Sequence, residues 1–146
     1  MQRGSEGGIN LYDELYEAWK KEKESVEIQK LSRNFYARLA DYVKKIREES
    51  RMLDEKTTKA KLMNREFENV KTMLEDLVQL RRDKILAIVT ARKTVPREVL
   101  TEEEEKLHGE ILPLAEAYQS FMYDILQGRL SRAEVEDKPK KILLRF

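Results

Sequence analysis

Apolar positions along this chain recur at three- and four-residue spacing in four separate stretches, with charged residues filling the positions between them. That period marks amphipathic helices rather than strands. The first stretch starts after Asn10, whose side-chain oxygen suits a helix N-cap, and ends near Glu24; Tyr12, Leu15, Tyr16 and Trp19 give it a strongly aromatic face. Residues 26–31 alternate polar and apolar and read as an extended connector. Ser32 is the expected cap of a second helix, whose stripe of Phe35, Leu39, Tyr42 or Val43, and Ile46 runs to about Met52. A bend is expected over residues 53–60, where Asp54, Thr57 and Thr58 favour helix poorly.

The third stretch is the longest. Its apolar positions Met63, Phe67, Val70, Met73 or Leu74, Leu77, Val78, Ile85, Ile88 and Val89 run toward Thr94 without a Gly or Pro. A helix of roughly 30 residues, about 45 Å long, is the consequence. A seven-residue repeat carried along it lands on Arg81 and Lys84, whereas steps of eleven join Met63 to Leu74, Phe67 to Val78, Leu74 to Ile85 and Val78 to Val89. The eleven-residue period predicts a nearly straight bundle spine rather than a supercoiled dimer. Val95-Pro96 stops it. Thr101 and Glu104 then have the spacing of a capping box, opening a fourth helix through Leu107, Ile111, Leu114, Tyr118, Phe121, Met122, Ile125 and Leu126 to a stop at Gly128, with a kink expected at Pro113.

The fold class this predicts is all-α: an elongated bundle of four main helices in a domain at 10–128. A Gly-rich leader or tag at 1–9 precedes it, and a polar linker at 129–139 follows. The closing residues 140–146, KKILLRF, read as a strand without neighbours, the remnant or start of a truncated β-rich domain.

Composition narrows the function. The chain has 146 residues, with 29 Lys+Arg against 28 Asp+Glu, so it lacks the overall basic field of a dedicated nucleic-acid binder. Charged residues at 39% nearly equal hydrophobic ones at 40%, which leaves material for only a thin core. Without cysteine there is no disulfide framework, thiolate metal site or cysteine nucleophile, and an intracellular, cytoplasmic setting is the default. No run approaches the roughly 18 apolar residues of a membrane span.

Candidate chemistry is sparse. His108 is the single histidine and has no Ser or Cys beside it, and the glutamates at 102–105 read as acids favoured at a helix N-terminus. Phosphate-cradling Gly loops and metal-ligand spacings are missing, so no catalytic residue, metal or cofactor is expected. Two blocks of opposite charge stand out. Residues 81–97 hold six positive charges against one negative, and residues 98–110 hold six negative against one positive, a pattern suited to pairing within the chain or between subunits. Arg81, Arg82, Lys84, Arg92 and Lys93 offer an edge for DNA or a partner. The aromatic faces are too wide for one thin bundle, which makes Tyr12, Leu15, Tyr16, Trp19, Phe35, Tyr36 and Tyr42 the expected subunit interface.

The segments LYDELYEAWKKE at 11–22, QKLSRNFYARLADYVKKI at 29–46, LVQLRRDKILAIV at 77–89 and TEEEEKL at 101–107, followed by KKILLRF, together resemble the archaeal GINS replication-complex subunit of the fifty-one type. These are packing patterns, and the resemblance lies in their order and spacing over nearly the whole chain from Leu11. It implies a helical A domain ahead of a small B domain, of which only seven residues are present here. It further implies a non-enzymatic scaffold that assembles with itself or a sister GINS subunit into a tetramer. That tetramer joins the MCM helicase and a RecJ-like or Cdc-type replication factor at the fork, near the archaeal nucleoid. The alternative is a helical nucleic-acid-binding module using Lys44, Lys45, Arg47, Arg81, Arg82, Lys84, Arg92 and Lys93. A third reading, a small enzyme, would need a pocket joining His108 to an acid.

Overall fold

In the computed structural model, which describes residues 10–129, Asn10 accepts the Asp13 amide on its side-chain oxygen at 2.8 Å and opens α1 (Leu11–Glu24). The connector leads into α2 (Phe35–Arg51). Ser32 does not cap it: the Ser32 carbonyl accepts the Phe35 amide at 3.1 Å, while its hydroxyl accepts from Arg38 Nη2 at 2.9 Å. Asn34 stands at the N-cap position, but its side-chain oxygen accepts from the Arg38 side chain, Nε, rather than from a backbone amide of the first turn. Thr57, expected within the bend, is the cap of α3 (Thr58–Thr90), its hydroxyl accepting the Ala60 amide at 3.1 Å.

α3 stops four residues before Thr94. Arg92 takes up a left-handed φ of 63°, the Arg92 amide bonds the Val89 carbonyl, and the Lys93 amide bonds the Ile88 carbonyl, each at 3.0 Å. This pair of bonds closes the last turn as a glycine normally would. A 3-10 turn at Arg97–Val99 precedes α4 (Glu102–Leu126), whose capping box is complete: Thr101 N–H donates to Glu104 Oε1 at 3.1 Å and Glu104 N–H to the Thr101 hydroxyl at 3.2 Å. α4 continues through Pro113 and ends with the same closing pair of bonds around Gly128, here a true glycine at φ 75°. All four α-helices are where the periodicity puts them, and among the described residues there is no strand. The leader at 1–9, the linker beyond Arg129 and the strand expected at 140–146 lie outside the described residues.

The chain divides into two compact units, one ending at His108 and the other beginning at Gly109, so the boundary falls inside α4 rather than after it. In the first unit α3 packs against both α1 and α2. Its central core is Leu15, Leu31, Phe35, Leu39, Val70, Met73 and Leu77. Leu31 belongs to the connector, which is tied down by its amide bonding the Val99 carbonyl at 3.2 Å, and Arg33 likewise accepts the Glu102 amide on its carbonyl at 3.0 Å. The seven-residue series on α3 does not fail at its charges. From Met63 through Phe67, Val70, Leu74, Leu77, Arg81 and Lys84 to Ile88, every member is buried or half-buried, whereas Val78, a member of the eleven-residue series, is 43% exposed. In the second unit no described side chain is fully buried.

Candidate functional site

The most unusual chemistry in the first unit is a charged cluster in its interior. Arg81 and Glu22 are both 0% exposed, and Glu104 is nearly as deep. α3 delivers Arg81 onto its buried stripe, α1 supplies Glu22 from its last turn, and the capping box of α4 fixes Glu104. Arg81 Nε donates to Glu104 Oε2 at 2.6 Å, and Nη2 donates to Glu104 Oε1 at 2.8 Å, a two-pronged pair. Nη1 donates to Glu22 Oε1 at 2.8 Å and to the Gln29 carbonyl at 2.5 Å, while Nη2 also reaches the Val99 carbonyl at 2.9 Å. Lys84 Nζ completes the set, donating to Glu22 Oε2 at 2.7 Å and to the carbonyls of Glu22 and Ser25, each at 2.9 Å.

This cluster is electrically and sterically closed. Two cations meet two carboxylates, and the five guanidinium donors have partners. The Tyr36 hydroxyl donates to Glu104 Oε2 at 2.8 Å. Burial alone would raise the Glu104 carboxyl, but the Arg81 hydrogen bond and charge, the Thr101 amide and the Tyr36 hydroxyl outweigh it and hold the group below its ordinary 4.5. Burial first, and then the Glu104 charge, push the Tyr36 phenol far above its ordinary 10.0. A carboxylate held ionised and a phenol held protonated are poor proton-transfer partners near neutrality. What the arrangement does is fasten α1, α3, the connector and the start of α4 together.

The residues singled out in the sequence separate sharply in space. Arg81, expected on a DNA- or partner-facing edge, is internal, because a fully paired guanidinium substitutes there for an apolar side chain. Lys84 is spent on Glu22. Arg82, Arg92 and Lys93 are exposed, as are Lys44, Lys45 and Arg47 on α2. The opposite charge blocks pair within the chain, through Arg81 with Glu104 and through Arg97 with Glu105 at 2.5 Å. His108 is half-buried, and among the described residues no carboxylate is hydrogen-bonded to it.

The aromatic faces are largely covered within one copy. Leu15 and Phe35, expected at a subunit interface, are core residues. Tyr12, Trp19, Tyr36 and Tyr42 are half-buried against that core, and each polar tip has an internal partner. Trp19 Nε1 donates to Asp76 at 2.7 Å, Tyr42 donates to Glu66, and Tyr12 accepts from Asn69 at 3.2 Å. The physical reason is the length of α3, which runs past both α1 and α2 and supplies cover and hydrogen-bond partners to each. Of the seven residues, Tyr16 alone is exposed.

Open apolar surface lies elsewhere. On α4, Leu112, Leu114, Tyr118, Phe121, Met122, Tyr123, Ile125 and Leu126 are all exposed, Leu114 at 61% and Tyr118 at 67%. The periodicity placed Leu114, Tyr118, Phe121, Met122, Ile125 and Leu126 on the fourth helix, and the structure has them there, exposed. In the first unit a groove of about 700 Å³ runs between α2 and α3, floored by Leu39, Val43, Leu74 and Val78 and edged by Lys44, Arg47, Glu48 and Arg51. Among the described residues no helix is long and apolar enough to cross a membrane. No protein-family model, curated protein or solved structure matches the chain.

Proposed function

We propose that this chain is a non-enzymatic scaffold subunit of a GINS-type complex in DNA replication, assembling with itself or a sister subunit into a tetramer that bridges the MCM helicase and a RecJ-like or Cdc-type factor. The observation that carries this reading is the uncovered apolar run on α4 between 112 and 126. Eight large side chains there, three of them aromatic, exceed the scattered apolar exposure of an ordinary monomer surface and have the composition of an interface centre. Two further features support it. Among the described residues the buried cluster of Arg81, Glu22, Glu104 and Lys84 is internally paired, and the helices occur in the order and spacing of the segments that resemble the family.

The test is assembly. The full chain, measured by light scattering alone and after mixing with an archaeal GINS sister subunit, is expected to form a species of higher mass, and that species to be retained by immobilised MCM helicase. A chain that stays monomeric in both settings and is not retained overturns the proposal. The nucleic-acid alternative rests on Lys44, Lys45, Arg47, Arg82, Arg92 and Lys93 once Arg81 and Lys84 are spent. It requires binding that weakens steeply with salt, and salt-insensitive assembly without DNA retention excludes it.

A further inference from the structure

Two surfaces of this chain are complementary in charge, in polarity and in length. The α2 positions that line the groove, from Tyr36 through Val43 and Arg47 to Arg51, recur every three or four residues. They span about 22 Å at the helical rise, and the α4 segment 109–126 spans about 26 Å. The groove rim carries three cations, Lys44, Arg47 and Arg51, against one acid, Glu48. Segment 109–126 carries Glu110, Glu116 and Asp124 and neither Lys nor Arg, and of its three acids Asp124 is paired with Arg129, just beyond the segment, at 3.4 Å. Most of its large apolar side chains are exposed, as is Val78 on the groove floor.

We infer that the α2/α3 groove receives the acidic, apolar 109–126 segment of α4 from a second copy of this chain. The inference rests on the reading of this protein as an assembly subunit and adds how two copies meet. The mode is an amphipathic helix laid in an apolar groove, with side chains three and four residues apart as anchors and the charged rim setting orientation. The inferred pair is two-fold symmetric, so that each copy gives one helix and fills one groove.

Reciprocity supplies a stringent test. One variant reverses the groove (K44E with R51E), and another reverses the helix (E116K with D124K). All four residues are at the surface or half-exposed, and circular dichroism melts check that both variants fold. Wild type is expected to dimerise, and each variant to dissociate at about tenfold or more higher concentration, because like charges then face each other in both contacts. An equimolar mixture of the two variants is expected to recover the dimer, since in the mixed pair both grooves meet an oppositely charged helix. Sedimentation velocity reads all three.

A wild-type chain that remains a monomer overturns the inference, including the case in which the segment lies in the groove of its own copy. Self-association that neither reversal weakens, or that mixing does not restore, overturns it too. In both of those cases continued binding of the sister subunit leaves the assembly reading standing. Loss of every association, with itself and with the sister, removes both.

Discussion

Removing the Arg81 guanidinium would strand Glu22 and Glu104 in the interior without a counter-charge, apart from Lys84 on one side of Glu22. Breaking a buried pair from one end is far worse than never having built it. Arg81→Met is therefore expected to destabilise the fold by about 3–5 kcal/mol, read from urea unfolding at pH 7. The same cluster sets the pH limits of stability. The Glu104 carboxyl is held below its ordinary 4.5 in the fold, so its contribution is complete above that value and is lost as pH falls through the lower folded value. Tyr36 and Tyr42 are raised, by burial first and then by Glu104 and Glu66, so their contribution is complete below 10.0 and drains away as pH climbs above it. Melting temperatures are expected to be flat across the neutral range and to fall on both sides. In Tyr36→Phe the alkaline fall should be shallower, because one of the two phenols that must stay protonated is gone.

At the level of elements, the ends of helices show which parts of the fold were legible in the sequence. Thr101 and Glu104 carry their capping box in the sequence itself, and both reciprocal bonds form. Since Thr101 is also fully buried, Thr101→Ala is expected to lose about 1–2 kcal/mol, at the upper end for a lost cap, measured by chemical denaturation. The end of α3 was illegible for an equally specific reason: its left-handed residue is Arg92, where the pattern to look for is a glycine. A left-handed non-glycine costs roughly 1–2 kcal/mol, so Arg92→Gly is expected to stabilise the chain by about 1 kcal/mol and raise its melting temperature. Arg81 and Lys84 carried a signal that the apolar-only reading discarded. Two cations in register with a buried seven-residue stripe call for acids on facing elements, and Glu104, inside the acidic block, was such a partner. Glu22 gave no comparable signal, because in α1 it sits among Lys20, Lys21 and Lys23 and looks solvated. In the sequence the aromatic faces of α1 and α2 read as too wide for one bundle and point to a subunit interface, because helical periodicity does not say which element covers a face; within one copy α3 packs against both.

For the whole molecule, the contrast between its two units has a dynamic consequence. Residues of the first unit are held by a packed core, a buried ion cluster and backbone ties between the connector and the segment before α4. In the 109–126 segment the backbone is helical while most of its large apolar side chains remain exposed. Most helical stability in proteins comes from packing one face, and this stretch of α4 has little of that packing. Amides of 109–126 are therefore expected to exchange with solvent much faster than those of α3 in a dilute, unassembled chain, through local opening that leaves the core intact. Assembly that covers the apolar run should slow exchange there selectively, with α3 changed little. Hydrogen exchange read by mass spectrometry, at low and high protein concentration and with the sister subunit added, measures this directly. Equal and slow exchange of α3 and 109–126 in the dilute chain would show that the segment already has its cover, and would remove the reason for assigning it to a partner.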